Sequence, residues 1–140
     1  MKDIIKGVAS GKISIYKVTP DNTYLLLASS NEILPNANDL LALILSGDDT
    51  AKITRIRLYD GVTLKIDAPI TNKSVETNII AKFIALIQAG DLVGTINKCL
   101  LGPTDSGTLG NFAQAVFANM AISGDDDIAI TWEITFNFGL

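Results

Sequence analysis

The chain has 140 residues, of which 48% are apolar and 19% charged, with a formal net charge of −4 and no histidine. That length is about one domain, large enough to bury roughly two-thirds of the surface its unfolded chain exposes and to hold a core without staples. The acidic balance argues against a phosphate-backbone binder, which needs a basic stripe. No apolar run is long enough to span a bilayer as a helix, and the missing histidine removes the commonest general base and metal ligand.

Residues Met1-Lys2-Asp3-Ile4-Ile5-Lys6-Gly7 lack the long apolar run of a signal peptide. Residues 1–11 read as an N-terminal arm. Ile13–Val18 and Tyr24–Ala28 bracket Pro20-Asp21-Asn22-Thr23, which has turn residues where turn geometry wants them, so a hairpin is predicted. Asn38-Asp39 then precedes an apolar stripe of Leu40, Leu41, Leu43, Ile44 and Leu45, and Gly47 follows. N-cap, stripe and terminal glycine predict one short helix.

A second hairpin is predicted around Asp60-Gly61. Thr54, Ile56 and Leu58 alternate with Arg55 and Arg57 before it; Val62, Leu64, Ile66 and Ala68 alternate with Thr63, Lys65 and Asp67 after it. Asp-Gly between alternating runs is a strong hairpin signal, because glycine supplies the positive φ of a primed turn. Residues 77–88 fit both periods: Ile79, Ile80, Phe83, Ile84 and Ile87 make a helical face, and Ile79, Ala81, Phe83, Ala85 and Ile87 a strand face. Leu92–Leu101 reads as a strand ending at Gly102-Pro103. Thr104–Gly110 is a polar turn, and Phe112–Ile122 a further strand.

The clearest signal closes the chain. After Ser123-Gly124-Asp125-Asp126-Asp127, the residues Ile128, Ile130, Trp132, Ile134, Phe136 and Phe138 alternate with Ala129, Thr131, Glu133, Thr135 and Asn137. This predicts a long, central strand with one buried face. Turn signals recurring roughly every ten residues then give the fold class: mainly β, a compact antiparallel β-sandwich with one short helix, in a single domain over residues 1–140.

The candidate chemistry is thin. Asp125-Asp126-Asp127 lacks the spacing of a calcium loop and reads as a solvated turn, as does Asp48-Asp49. Trp132 lies on the apolar face of the last strand, where core packing outweighs sugar stacking, and Glu133 points the other way without an evident partner. Without histidine no Ser-His-Asp triad forms, and neither a Gly-x-Ser-x-Gly elbow nor a phosphate-binding glycine loop is present. Arg55 and Arg57, with Lys52, read as a solvated sheet face. Cys99 has no partner for an internal disulfide and reads as a small buried hydrophobe. Asn72-Lys73-Ser74 matches a glycosylation acceptor but carries little weight without a secretory signal. No catalytic residue, metal site or cofactor is expected.

The segment Asp126-Asp127-Ile128-Ala129-Ile130-Thr131-Trp132-Glu133-Ile134-Thr135-Phe136, with Lys82–Ile87, Gly107-Thr108-Leu109 and Ala115-Val116-Phe117 before it, resembles small structural proteins of tailed bacteriophages. These are proteins of the collar, neck, tail-fibre or baseplate kind. The resemblance covers about residues 52 to 138, and it departs in having Asp60-Gly61 alone where a glycine-rich stretch often follows the first hairpin strand. It implies a strand over residues 77–88 and a β-sandwich that works by assembly in a virion, put together in the host cytoplasm. Its partners would be itself, as a homo-oligomer, and other virion proteins, with no nucleic acid and no membrane. A host-receptor or carbohydrate-binding module of a tail fibre is the alternative. The apolar share of 48% against a charged share of 19%, where a quarter is usual, has two readings: apolar surface covered by another chain, which points the same way, or a bigger or better-filled core.

Overall fold

The last strand organises the molecule. In the computed structural model, which describes residues 9–76 and 80–136, Ile128, Ile130, Trp132 and Ile134 are buried, while Ala129, Thr131, Glu133 and Thr135 stay partly exposed. Asn137 and Phe138, the end of the predicted alternation, lie outside the described residues.

The elements in chain order are β1 (Ala9–Val18), β2 (Thr23–Ser30), β3 (Glu32–Ile33), α1 (Ala37–Leu45), a 3-10 turn (Asp49–Ala51), β4 (Arg55–Asp60) and β5 (Thr63–Pro69). They continue with β6 (Asn72–Glu76), β7 (Ile80–Ile87), β8 (Gly94–Gly102), α2 (Ser106–Leu109), β9 (Ala113–Ile122) and β10 (Asp127–Phe136). Two five-stranded antiparallel sheets result, in the orders β2-β1-β10-β7-β6 and β3-β9-β8-β4-β5. The chain passes between them four times, after β2, β5, β7 and β9. The expected β-sandwich is what the chain forms, and β10 is the middle strand of its sheet.

Directly paired residues of an antiparallel ladder share a face, so register explains the core. Ile13, Trp132 and Phe83 form one inward row, and Ile15, Ile130 and Ala85 the next. Small residues of β7 thus stand beside large ones of β10: Ala81 beside Ile134, Ala85 beside Ile130. Residues 80–87 are accordingly a strand, hydrogen-bonded to β10 on one side and β6 on the other. Of the two periods present there, the strand face of Ala81, Phe83, Ala85 and Ile87 is the one used. Opposite this sheet, Ile56, Leu58, Ile96, Cys99, Leu101 and Ala115 supply the second layer.

Both predicted hairpins form. At the first, Thr19 N–H donates to the Asn22 carbonyl at 2.8 Å, and the Asn22 side chain accepts from Thr23 N–H at 2.9 Å. At the second, Asp60 pairs with Thr63, so the loop is Gly61-Val62 and Gly61 sits at φ +60. Val62 is therefore an exposed turn residue and not the first residue of a strand.

Three local expectations are corrected. The helix starts at Ala37 behind Asn36, two residues earlier than Asn38-Asp39 would have it. Ala37 and Leu40, a turn apart, anchor it in the core, while Asp39 lies in its first turn, where a carboxylate suits the helix dipole. The segment 104–110 holds a four-residue helical turn, with the Asp105 side chain accepting from Thr108 N–H at 3.1 Å. The run from Lys52 is not strand until Arg55, because the 3-10 turn occupies 49–51 and Lys52 caps it. The strands β3 and β6 have no counterpart in the periodicity.

Candidate functional site

The acidic residues singled out in the sequence lie in turns or, for Asp127, at the start of β10, and several have structural partners. Asp127 accepts from Ala89 N–H at 2.8 Å, tying the β9–β10 turn to the β7–β8 turn, and Asp125 N–H donates to Ser123 Oγ at 3.3 Å. Asp48 accepts from Thr50 Oγ1 at 2.6 Å and Thr50 N–H at 2.9 Å. These bonds, the hydroxyl's first, hold its carboxyl below the usual range. Among the described residues, no group of three or more Cys, Asp or Glu is placed to hold a metal ion.

The basic cluster departs from its expected solvated face. Arg57 is only 5% exposed. It sits on the outer side of its sheet, where its Nε meets Asp67 Oδ2 at 3.1 Å and its Nη2 donates to the Thr104 carbonyl at 2.9 Å. Arg55 Nε is 3.9 Å from the same carboxylate. A buried guanidinium needs this, since an unpaired buried charge is strongly destabilising. Lys52 is not on that face at all and pairs with Asp49 at 3.0 Å. Asp67 and Thr104 were not distinguishable in sequence, because Thr104 lies 47 residues from Arg57 and only the fold joins them.

Cys99 is buried beside Leu58 and Ala115, and desolvation pushes its thiol far above the ordinary cysteine range. A maleimide should leave the native protein unlabelled between about pH 6 and 9 and label it fully in denaturant. Rapid native labelling would show the thiol to be accessible. Trp132 is fully buried, and Glu133 faces outward, flanked in register by Lys12 and Lys82. Asn72-Lys73-Ser74 lies on the exposed strand β6.

Two surface features remain. A cavity of ≈ 310 Å³ opens between α1 and strands β7 and β10, walled by Leu41, Ile44, Phe83, Phe112, Ile134 and Phe136. The second feature is the set of sheet edges. Proteins blunt exposed edges with short strands, charges or proline. Here β3 has two residues, β5 carries Lys65, Asp67 and Pro69, and β6 carries Lys73 and Glu76. The fourth edge, β2, is eight residues long and reads Thr-Tyr-Leu-Leu-Leu-Ala-Ser-Ser, with no charge and no proline. Its ladder with β1 shifts register at Leu26, which bends the strand, and the Lys17 ammonium lies 5.1 Å from the centroid of the Tyr24 ring. Tyr24 is 47% exposed and Leu25 58%, with Leu26 also exposed. No protein-family model, curated protein or solved structure matches this chain.

Proposed function

We propose that the chain is a structural subunit of a tailed-bacteriophage virion, of the collar, neck, fibre-attachment or baseplate kind. It acts by assembly, with copies of itself and with other virion proteins, and not by catalysis. The strand-and-turn pattern around Asp126–Phe136 supports the virion setting. The observation that carries the assembly reading is the unguarded edge β2, whose Tyr24, Leu25 and Leu26 face solvent on a sandwich that protects its other edges.

A receptor- or carbohydrate-binding module is less well supported. Such a site needs aromatic platforms on loops. Among the described residues the loop aromatic is Phe112, which is buried, and the tryptophan lies in the core.

Native mass spectrometry tests the reading. The expected species are multiples of 14.9 kDa, with the protein recovered in purified particles when its partners are supplied. A strictly monomeric chain that enters no particle would remove the proposal.

A further inference from the structure

The outer face of the sheet β2-β1-β10-β7-β6 is laid out in transverse rows that the register defines. One row runs Leu25, Tyr16, Ala129, Leu86 across four strands. Its outer members are more than half exposed, Leu25 at 58% and Leu86 at 59%. The next row runs Ala28, Ser14, Thr131, Ile84, and the third Ser30, Lys12, Glu133, Lys82. Two adjacent rows therefore carry no charge. The other sheet also exposes Leu64 and Val116 but interleaves them with polar contacts: across its outer face Gln114 bonds Glu32 at 3.0 Å, Arg57 bonds Asp67, and the Lys98 ammonium covers the Tyr59 ring at 4.8 Å.

We infer that this face pairs with the same face of a second copy, about a twofold axis lying between the two sheets, parallel to the strands and midway between β1 and β10. The inference rests on the assembly reading and names its partner. The rows are complementary under that operation and under no assumption about side-chain movement. Each row meets itself reversed, so Tyr16 of one copy stands over Ala129 of the other, bulk over a gap. Ala28 stands over Ile84 in the same way, and the exposed leucines Leu25 and Leu86 meet. In the third row Lys12 stands over Glu133, and Glu133 over Lys12, so the charged residues pair with opposite signs twice.

A chain of net charge −4 associates with itself where the acid inside the contact meets a cation, as Glu133 does with Lys12. Asp21, Asp91, Asp125 and Asp126 sit in turns beyond the ends of the strands, and Asp127 is the first residue of β10. Four strands spaced about 4.8 Å apart and about nine residues long cover roughly 20 Å by 30 Å, on the order of 600 Å² per copy. The total of about 1,200 Å² reaches the lower bound for a specific, stable interface, and aligned stacking of sheet faces, with strand directions within about 30° of each other, is a standard packing. A twofold contact of this kind is isologous and closed, as most homo-oligomer interfaces are.

The test is a charge swap between copies, read by sedimentation velocity with the melting temperature as a check on folding. Lys12→Glu alone and Glu133→Lys alone each place like charges against each other, and each should weaken self-association about tenfold or more. An equimolar mixture of the two variants should recover it, because each copy then meets its opposite. Mixing cannot repair an effect confined to one chain. Leu86→Lys, three strands away from the β2 edge, should also dissociate the pair, whereas pairing through the β2 edge would leave it untouched. A wild-type oligomer indifferent to all three substitutions, or a mixture that fails to recover association, overturns the face pairing and leaves the assembly reading standing. A strictly monomeric wild type overturns this pairing together with the homo-oligomer on which it rests.

Discussion

Trp132→Ala is expected to lower the free energy of unfolding by about 3–5 kcal/mol, the range for truncating a large aromatic in a core. Domains of this size have only about 5–15 kcal/mol in total. The side chain is fully buried and stands in register between Ile13 and Phe83, at the middle of the middle strand. Neighbours held on both sides by ladder hydrogen bonds have little room to collapse into the space. Urea denaturation with an unchanged slope and a lowered midpoint is the expected record. Trp132→Phe should cost less, because the indole Nε1 is buried with no hydrogen-bond partner, and removing an unsatisfied donor offsets part of the lost volume. An alanine variant that melts within a few degrees of the parent would show the tryptophan to be peripheral.

Gly11→Ala is expected to cost about 3 kcal/mol, the upper end of the overpacking range. Gly11 lies in β1 opposite Ile134, and a Cβ there would stand 2.7 Å from the Glu133 carbonyl oxygen and 2.8 Å from Ile134 Cδ1. It would also collide with Asn31 Oδ1. The first of these is backbone of the central strand, which cannot withdraw without opening the β1–β10 ladder. The Asn31 amide, buried without a partner, has no bond to lose by moving aside, so the cost falls on the backbone contact. Differential scanning calorimetry of the variant measures the effect; an unchanged melting temperature would mean that the two strands separate there at little cost.

The sandwich was legible because its strands alternate: Ile128–Phe136 carries its own inward face, and Gly61 marks its hairpin. What stayed hidden depends on pairing between distant segments. Arg57 looks like Arg55 along the chain, and only the fold of Thr104 and Asp67 over it makes it a buried ion. Residues 80–87 had two faces available, and the choice was made by β10 and β6 bonding on both flanks. The strand β6 is exposed along its whole length, so it shows no hydrophobic period to detect. The face proposed for self-pairing is the extreme case. Tyr16, Leu25, Ala129 and Leu86 share no stretch of sequence, and they become a row only once three ladders and one bulge are in register.

The pairing of β1 with β10 also sets a timetable for the chain during its synthesis. The hairpin β1–β2 can close as soon as it emerges, but Val18 must wait for Asp127, more than about 100 residues later, which is roughly 5–20 s at about 5–20 residues per second. Through that interval the inner edge of β1 is open, and Ile13 and Ile15 lack Trp132 and Ile130 beside them. β7 is in the same position, since it too bonds to β10. The sheet is therefore completed by its last-made strand inserting between two waiting neighbours, a late, long-range step of the kind that places β-sandwiches among the slow folders, in milliseconds to seconds. In a chain released before β10 is made, this sheet would be left as two strand pairs, β1–β2 and β6–β7, without the strand that joins them.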